Sequence, residues 1–229
     1  MYSEIITDVF FDLDHTLWDF EKNSALTFEK ILSENKVGVE VSEFLKIYVP
    51  ANIEFWKLFR EEKITKEELR YQRLHSVFDE MGCEITDEVI HKLSHDYIAN
   101  LSSFNHLFPY TIEVLEYLKP KYNLHIITNG FHEVQEKKLK NSNIDVYFDV
   151  IVDSEMVGVK KPNPLIFEFA LNKASTTVKK ALMIGDSLEA DIIGAKTVGF
   201  KTIHFNTHNE LPHDICPMIN DLREIKDFL

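Results

Sequence analysis

The chain has 229 residues and 45% of them are apolar, which is enough for one large domain or for a core domain carrying an insertion. Its 25 basic and 38 acidic side chains give a formal net charge of −13, so nucleic acid and anionic membrane surfaces are not expected as partners. A small phosphorylated molecule is still possible as a substrate if local cations or a metal reverse the negative electrostatic potential within the site.

The two cysteines and the amino terminus bear on where the protein works. Cys83 and Cys216 are isolated and lack CxxC spacing, which argues against a disulfide scaffold or a cysteine-based zinc site and fits a reducing compartment. The amino terminus has no basic segment ahead of its apolar run, and no stretch approaches the ~20 apolar residues of a membrane span. We therefore expect a cytoplasmic protein, monomeric or homodimeric, with no membrane partner.

Short apolar runs rich in β-branched and aromatic residues recur along the chain and predict buried parallel strands. They cover residues 5–11, 124–128, 150–152, 181–184 and 202–205. Helical periodicity separates the later runs, at residues 133–140, 164–173 and 189–198. Strands that alternate with helices in this way indicate an α/β fold with a doubly wound, mostly parallel, Rossmann-like sheet.

The interval between the first two predicted strands breaks this alternation. Across residues 20–103 the apolar spacing is helical throughout, which predicts an inserted helical domain. We expect a core domain of residues 1–18 and 105–229. Residues 19–104 would form a helical cap that covers the strand ends as a lid.

Polar residues and one glycine lie at or follow the carboxyl ends of the predicted strands. They are Asp12 and Asp14, then Thr128, Asn129 and Gly130, then Lys161, then Asp186 and Asp191. In a parallel α/β sheet these ends converge on one crevice. A group of acids with one lysine would be costly there without a cation, and Mg²⁺ prefers oxygen ligands. The sequence therefore predicts a metal-assisted site that attracts phosphate.

Four short motifs at these strand ends resemble, in order, those of the haloacid dehalogenase (HAD) superfamily of aspartate-dependent phosphohydrolases. They are FDLDHTL at 11–17, ITNG at 127–130, KKPNPLIF at 160–167 and IGDSLEADIIGA at 184–195. The inserted helical domain resembles the α-helical cap of that superfamily, which usually marks enzymes for small phosphates. Within the superfamily, the segments FDLDHTLWDF, NSALTF, KITKEELRYQR and SEMVGVKKPNPLIF resemble the bacterial pyrimidine 5'-nucleotidases.

The resemblance implies a catalytic role for each core motif. Asp12 would attack phosphorus and form an aspartyl-phosphate, and Asp14 would act as general acid and then as general base. Thr128 would hydrogen-bond the phosphoryl group, and Lys161 would neutralise Asp12 and the phosphate. Of the two adjacent lysines, Lys161 is favoured over Lys160 because the motif places the lysine directly before proline.

The same resemblance implies Mg²⁺ as the cofactor. Asp186 would bind the ion together with the Asp12 carboxylate and the main-chain carbonyl of Asp14. Asp191 would support the metal shell or Lys161. Acids in the first turn of a helix are also favoured by the helix dipole, so a structural role for Asp191 stays open.

Substrate binding is expected from Asn129, Gly130, Trp18 and Arg73. Trp18 follows the catalytic turn, where its ring could stack on a nucleobase or pack against the cap. Arg73 could reach a substrate anion or pair with a nearby glutamate. His15 stands where many relatives have glycine, and a packed or solvated histidine is favoured over a substrate contact.

Two further groups, of histidines and of aromatic residues, are expected to have structural rather than functional roles. The histidines of HFNTHNELPH, within 204–213, and those of HKLSH, within 91–95, lack a complete ligand set for zinc and are expected at the surface. Phe55, Trp56 and Phe59 stand at helical spacing and are expected in the core of the cap.

The expected function is Mg²⁺-dependent hydrolysis of a small phosphomonoester, with a pyrimidine nucleoside 5'-monophosphate favoured as substrate. Dehalogenases of the superfamily need neither a leaving-group acid nor Mg²⁺, so Asp14 and Asp186 favour phosphate chemistry. A sugar phosphate or other small metabolite, a phosphomutase reaction, and a non-enzymatic phosphate-binding or scaffold role remain alternatives.

Overall fold

The structure is a computed structural model and describes Tyr2 and residues 4–229. The chain divides into two compact units. Met1–Phe20 and Asn105–Leu229 make up the first, which we call the core unit, and Glu21–Phe104 makes up the second, the helical unit. None of the helices in the described part of the chain combines the length and the apolar character needed to cross a membrane.

The core unit is built on one six-stranded sheet. Its strands are β1 Asp8–Phe11, β2 Asn123–Thr128, β3 Val150–Asp153, β4 Ala181–Gly185, β5 Lys201–Phe205 and β6 Met218–Ile219. They lie in the order β3-β2-β1-β4-β5-β6, and all neighbouring strands are parallel. The predicted doubly wound α/β fold is therefore confirmed.

The central position of β1 determines where its acidic end lies. Phe11, its last residue, is in register with Ile126 of β2 on one side and with Ile184 of β4 on the other. All four residues of β1 are buried, as are all five of β4. The carboxyl ends of these three strands therefore lie side by side at one edge of the sheet.

Two strands differ from the sequence prediction. The first begins at Asp8 rather than at residue 5, because Ile5 and Ile6 donate their N–H groups to the Tyr2 carbonyl in a turn. The last strand, β6, was not predicted, since two residues are too few to show a periodic pattern.

The helical unit contains four helices that follow the predicted helical spacing. They are α1 Phe20–Glu34, α2 Val41–Arg60, α3 Lys66–Glu80 and α4 Asp87–Asn100. A capping box begins α3: the Thr65 hydroxyl accepts from the Glu68 N–H at 3.1 Å, and the Glu68 carboxylate accepts from the Thr65 N–H at 2.7 Å.

An aromatic cluster forms the core of the helical unit. Its members are Phe28, Phe44, Tyr48, Phe78 and Tyr97. The ring centroids of Phe28 and Tyr48, for example, lie 4.4 Å apart. The residues predicted for this core, Phe55, Trp56 and Phe59, are only half-buried, so that prediction is wrong. The buried stripe of α2 lies elsewhere on the helix, at residues spaced by four.

The helices of the core unit lie between the strands. They are α5 Thr111–Leu118, α6 His132–Asn141, α7 Ser154–Val157, α8 Pro164–Lys173 and α9 Gly194–Val198. Local sequence accounts for the start of α8. The Asn163 side chain accepts from the Leu165 N–H at 3.0 Å, and Pro164 occupies the first turn, where a missing N–H costs nothing.

The helix predicted at 189–198 is interrupted. A π-helical segment, Leu188–Ile193, precedes α9. The Ser187 carbonyl accepts from the N–H of Asp191 at 2.9 Å and from that of Ile192 at 3.2 Å, which mixes α-helical and π-helical bonding. This local widening of the helix lies directly after β4 and carries Asp191, a predicted site residue.

Candidate active site

Asp12 and Asp14 leave the carboxyl end of the central strand, as predicted. Asp12 is buried, and its N–H donates to the Ile184 carbonyl of β4 at 2.9 Å, which extends the strand pairing by one residue. Asp14 lies two residues further on and is half-buried. The two carboxylates have different surroundings, which permits them different chemical roles.

Lys161 joins two acids that are distant in the sequence. Its ammonium lies 2.6 Å from Asp12 Oδ1, 2.6 Å from Asp191 Oδ1 and 2.7 Å from the Ile127 carbonyl. Burial lowers the pKa of Lys161, but the attraction of Asp12 and Asp191 outweighs it and raises the pKa above its ordinary value. Lys161 is therefore the cation that faces Asp12, and it is the member of the Lys160–Lys161 pair that reaches this acid.

An excess of acid surrounds this lysine. Burial raises the pKa of Asp12, Lys161 opposes that shift, and the nearby charges of Asp191 and Asp186 add to it. Carboxylate oxygens of Asp12, Asp186 and Asp191 all lie within 4.8 Å of one another. Three buried oxygen donors against one lysine fit a hard divalent cation such as Mg²⁺, which would offset the remaining repulsion.

The carboxylates of the predicted metal set do not all face the same way. Asp191 is shared, since its Oδ2 accepts from the Ser187 N–H at 3.0 Å while Oδ1 pairs with Lys161. The Asp14 side chain is turned towards α6, which leaves its main-chain carbonyl as the predicted ligand. Of the predicted metal set, the side chains that could hold a cation together are therefore those of Asp12, Asp186 and Asp191.

Asn129, directly after β2, holds the main chain of Lys161 in place. Its side-chain Oδ1 accepts from the Lys161 N–H at 2.7 Å, and its Nδ2 donates to the Lys161 carbonyl at 3.0 Å. Ser154 in turn donates to the Asn129 carbonyl at 3.2 Å. The side chain that the sequence suggested for substrate binding thus holds the lysine-bearing loop against β2.

Thr128 and Asp14 share a partner that the sequence reasoning missed. Gln135 Nε2 on α6 lies 2.7 Å from Thr128 Oγ1 and 2.9 Å from Asp14 Oδ2. Lys138, one turn further along α6, lies 2.6 Å from Asp14 Oδ1. A glutamine and a lysine on the buried face of a helix were the only sequence signal for these contacts.

A histidine group lies beside Asp186, with His204 on β5 and His208 and His213 after it. His204 is fully buried, and its Nε2 lies 2.7 Å from the Asp186 carbonyl, so this nitrogen must carry the proton. His213 Nε2 lies 2.9 Å from the other ring nitrogen of His204, and His208 Nε2 lies 3.1 Å from Asp186 Oδ2. The surface prediction is therefore wrong for His204, whose place within a predicted strand was the available signal.

Hydrogen bonds hold Asp186 as a carboxylate. Burial raises the pKa of this group, but the His208 hydrogen bond and nearby cationic groups outweigh it, and the pKa falls below its ordinary value. Thr16 also donates to Oδ1 of Asp186 at 3.1 Å.

His15, in the turn after Asp14, is packed as expected. It adopts a φ of 62°, the left-handed region that favours glycine, and its ring centroid lies 4.8 Å from that of Phe20.

The two large substrate-binding candidates are buried. Trp18 is 0% exposed, and the Lys138 ammonium lies 4.4 Å from the centroid of its ring. Arg73 is 1% exposed within the helical unit, where it donates to Asn52 Oδ1 at 2.9 Å and lies 4.9 Å from the Tyr97 ring centroid. The expected glutamate partner of Arg73 is replaced by an amide and an aromatic face.

The core unit is thus a parallel α/β sheet whose carboxyl edge carries a buried carboxylate paired with a lysine, together with further acids. The family model for haloacid dehalogenase-like hydrolases matches residues 8–199. The chain belongs to this family, and the resemblance drawn from the four motifs is confirmed.

Individual relatives show which members of this family the chain is similar to. The chain is 30% identical to the pyrimidine 5'-nucleotidase YjjG of Escherichia coli over 225 residues, which cover 96% of each chain. It is 33% identical to the pyrimidine 5'-nucleotidase PynA of Streptococcus pneumoniae over 189 residues, 80% of this chain and 77% of that one. A crystal structure of the HAD-hydrolase YfnB from Bacillus subtilis, bound to magnesium, superposes with a TM-score of 0.87 at 26% identity and covers 97% of this chain and 98% of that one. The protein is a HAD-family phosphatase.

Proposed function

We propose that the protein is a Mg²⁺-dependent 5'-nucleotidase that hydrolyses pyrimidine nucleoside monophosphates through an aspartyl-phosphate on Asp12. The observation that carries the proposal is the Asp12 carboxylate, held 2.6 Å from the Lys161 ammonium at the end of the central strand. The similarity to two pyrimidine 5'-nucleotidases supports the substrate class.

The first step transfers the phosphoryl group to the enzyme. An Asp12 oxygen forms a bond to phosphorus while the bond from phosphorus to the ester oxygen breaks. Asp14 gives its proton to that leaving oxygen. Lys161 remains protonated beside Asp12 and attracts the phosphoryl oxygens, and the Thr128 hydroxyl donates to one of them.

The second step restores the enzyme. Asp14, now a carboxylate, takes a proton from water as the water oxygen attacks the phosphorus of the aspartyl-phosphate. The bond between Asp12 and phosphorus breaks, inorganic phosphate leaves, and both aspartates return to their starting protonation states. One residue therefore serves both half-reactions, first as acid and then as base.

Asp12, Asp186 and the Asp14 carbonyl would hold Mg²⁺, with Asp191 in support through its contacts with Lys161 and Ser187. When bound, the cation would offset the charge of the acids and of the phosphoryl oxygens. The donor set consists of hard oxygen atoms, which suits this ion.

Substrate recognition by Trp18, Arg73, Asn129 and Gly130 stays a prediction. Trp18 and Arg73 would have to act from buried positions. The Asn129 side chain is engaged with Lys161, so its contribution would be made through that loop.

The experiment is phosphate release across a panel of pyrimidine and purine nucleoside monophosphates and sugar phosphates, with Mg²⁺ and with EDTA. We expect the highest kcat/KM for a pyrimidine nucleotide and no turnover in EDTA. Asp12→Asn should abolish turnover, while Asp149→Asn, an exposed acid paired with Lys119, serves as the matched control. A preference for a sugar phosphate would overturn the substrate class, and an active Asp12→Asn would overturn the nucleophile.

A further inference from the structure

Two side chains on α6 contact the group that acts as acid and base. Lys138 Nζ lies 2.6 Å from Asp14 Oδ1, and Gln135 Nε2 lies 2.9 Å from Asp14 Oδ2. The two residues are three apart and therefore share one face of the helix. Each oxygen of the Asp14 carboxylate thus has its own donor, which fixes both the position of the group and its rotation.

Gln135 also determines where the Thr128 hydroxyl points. Thr128 Oγ1 accepts from the Gly130 N–H at 3.1 Å and from Gln135 Nε2 at 2.7 Å. A hydroxyl has two acceptor lone pairs and one proton to donate. With both lone pairs engaged, its proton is directed to a third group, and a phosphoryl oxygen of the substrate is such an acceptor.

Lys138 is an unusual lysine because its charge is buried. Its side chain is 3% exposed, and its ammonium lies over the rings of Trp18 and Phe20, at 4.4 and 5.4 Å from their centroids. Lysine is almost never fully buried unless it is paired. Asp14 provides that partner, as a hydrogen-bond acceptor before its proton has left and as a carboxylate afterwards, and the aromatic faces provide the remaining attraction.

We propose that Gln135 and Lys138 are positioning residues for catalysis, which hold the Asp14 carboxylate in line with the leaving oxygen, and that Gln135 also directs the Thr128 hydroxyl at the phosphoryl group. This inference rests on the proposed phosphatase function. Both residues lie on α6, outside all four sequence motifs.

The contacts are compatible with proton transfer. Each Asp14 oxygen has two lone pairs, and Lys138 and Gln135 occupy one on each, so one site on either oxygen is left for the transferred proton. That proton moves to the ester oxygen as the bond to phosphorus breaks. A nucleoside 5'-oxygen needs this proton to leave, whereas p-nitrophenolate is a stable anion and leaves without it.

The distinguishing measurement is therefore kcat/KM for two substrates, the alkyl phosphate that the wild type hydrolyses fastest and p-nitrophenyl phosphate. This parameter covers the steps up to departure of the leaving group, so slow hydrolysis of the aspartyl-phosphate does not mask the effect. For Lys138→Met we expect a loss of about 10- to 100-fold on the alkyl phosphate and of less than about 3-fold on p-nitrophenyl phosphate. Lys138→Arg, which retains the charge, should return the ratio of the two towards the wild-type value.

Gln135→Met should show a different pattern. Because Thr128 contacts the phosphoryl group of every substrate, we expect this variant to lose activity on both substrates, and more on the alkyl phosphate. Lys140→Met is the matched control, since Lys140 lies on the same helix in an exposed pair with Glu136 and should leave both values unchanged.

The ratio of two kcat/KM values from one preparation does not depend on the fraction of folded protein, so a folding defect cannot imitate the expected result. An unchanged ratio in Lys138→Met, whether activity falls equally on both substrates or does not fall, overturns the inference and leaves the proposed function standing. Absence of phosphate release from either substrate by the wild type overturns the proposed function itself.

Discussion

Gly185 and Asp191 approach each other so closely that a β-carbon on residue 185 would lie 2.3 Å from Asp191 Oδ2 and 2.6 Å from Asp191 Cβ. Both distances are shorter than the closest approach found between a β-carbon and a non-bonded atom in proteins. Rotation of the Asp191 side chain cannot relieve a contact with its own Cβ, so the π-helical segment would have to move. The small size of Gly185 is thus what lets Asp191 reach Lys161.

Gly185→Ala should therefore lower both stability and activity. Overpacking of this kind costs about 1–3 kcal/mol in the free energy of unfolding. Displacement of Asp191 removes one of the two acids that position Lys161, and we expect kcat/KM to fall by about 10-fold or more. Urea unfolding and steady-state kinetics measure the two effects.

Gly38→Ala is the control for this substitution, because a β-carbon there meets nothing within 4 Å. It should leave the unfolding midpoint and kcat/KM close to the wild-type values. Wild-type stability and activity in Gly185→Ala would contradict this prediction, because they would show that Asp191 can keep its position beside a β-carbon on residue 185.

Removal of the metal should be visible in thermal stability as well as in activity. A ligand that binds only the folded state at about 100 times its dissociation constant stabilises it by about 2.7 kcal/mol. For a chain of this size that corresponds to a rise in Tm of roughly 5–10 °C. We expect excess MgCl₂ to raise the Tm of the wild type relative to EDTA, and Asp186→Asn to remove most of that rise.

Glu189→Gln provides the comparison for the metal experiment, since it removes an exposed acid from the segment that directly follows β4. Its response to MgCl₂ should equal that of the wild type. Equal responses in Asp186→Asn and the wild type would exclude Asp186 as a ligand, and the measurement needs no substrate.

The sequence allowed the strand ends to be predicted because their signals are local. A run of buried apolar residues followed by Asp12 or Asp186 identifies both the strand and the polar residue at its end. The prediction of Lys161 depended equally on a local feature, its place before proline. Each of these residues follows its own strand or motif, so no knowledge of distant contacts was required.

The partners of those residues could not be predicted in the same way. Gln135 and Lys138 matter because one face of α6 turns towards Asp14, which lies 121 and 124 positions away in the sequence. Helical periodicity shows that such a face exists, but it does not show what the face will contact. His204 was missed for the same reason, since its partner Asp186 is on the neighbouring strand end.

Acid should destabilise the protein through His125, which is buried on β2 against Asp8, with their side-chain atoms 3.2 Å apart. Burial lowers the pKa of His125, and Asp8 opposes this only in part. A histidine with a lowered pKa binds fewer protons when folded, so its contribution is complete above its ordinary pKa of about 6.5 and is lost as the pH falls below that value. His125→Gln should therefore lose less stability between about pH 7.5 and pH 5.5 than the wild type.

His132 provides a control of opposite sign. Its Nδ1 lies 2.7 Å from Asp153 Oδ2, and this hydrogen bond raises the pKa of His132. Its contribution is complete below about pH 6.5 and is lost as the pH rises through the raised value. His132→Gln should thus make the loss of stability on acidification steeper. Urea midpoints at several pH values test both variants, and the same slope in both would contradict the assignment.

Gly130 is also close to another side chain, that of Gln135, but an alanine at residue 130 should have a different effect from an alanine at residue 185. A β-carbon on residue 130 would lie 2.3 Å from Gln135 Cδ and 2.3 Å from its Nε2. These atoms are the far end of a flexible side chain, which can rotate away. Gly130→Ala should therefore cost little stability, yet it should separate Gln135 from Thr128 and Asp14 and lower kcat/KM as Gln135→Met does.

A double-mutant cycle tests this relationship directly. If Gly130→Ala acts by displacing the Gln135 amide, the substitution has nothing further to displace once Gln135→Met is present. The double variant should then have about the same kcat/KM as Gln135→Met alone, a clear departure from additivity. Independent effects, in which the two losses multiply, would mean that Gly130 contributes to catalysis by another route, such as direct contact between its N–H and the substrate.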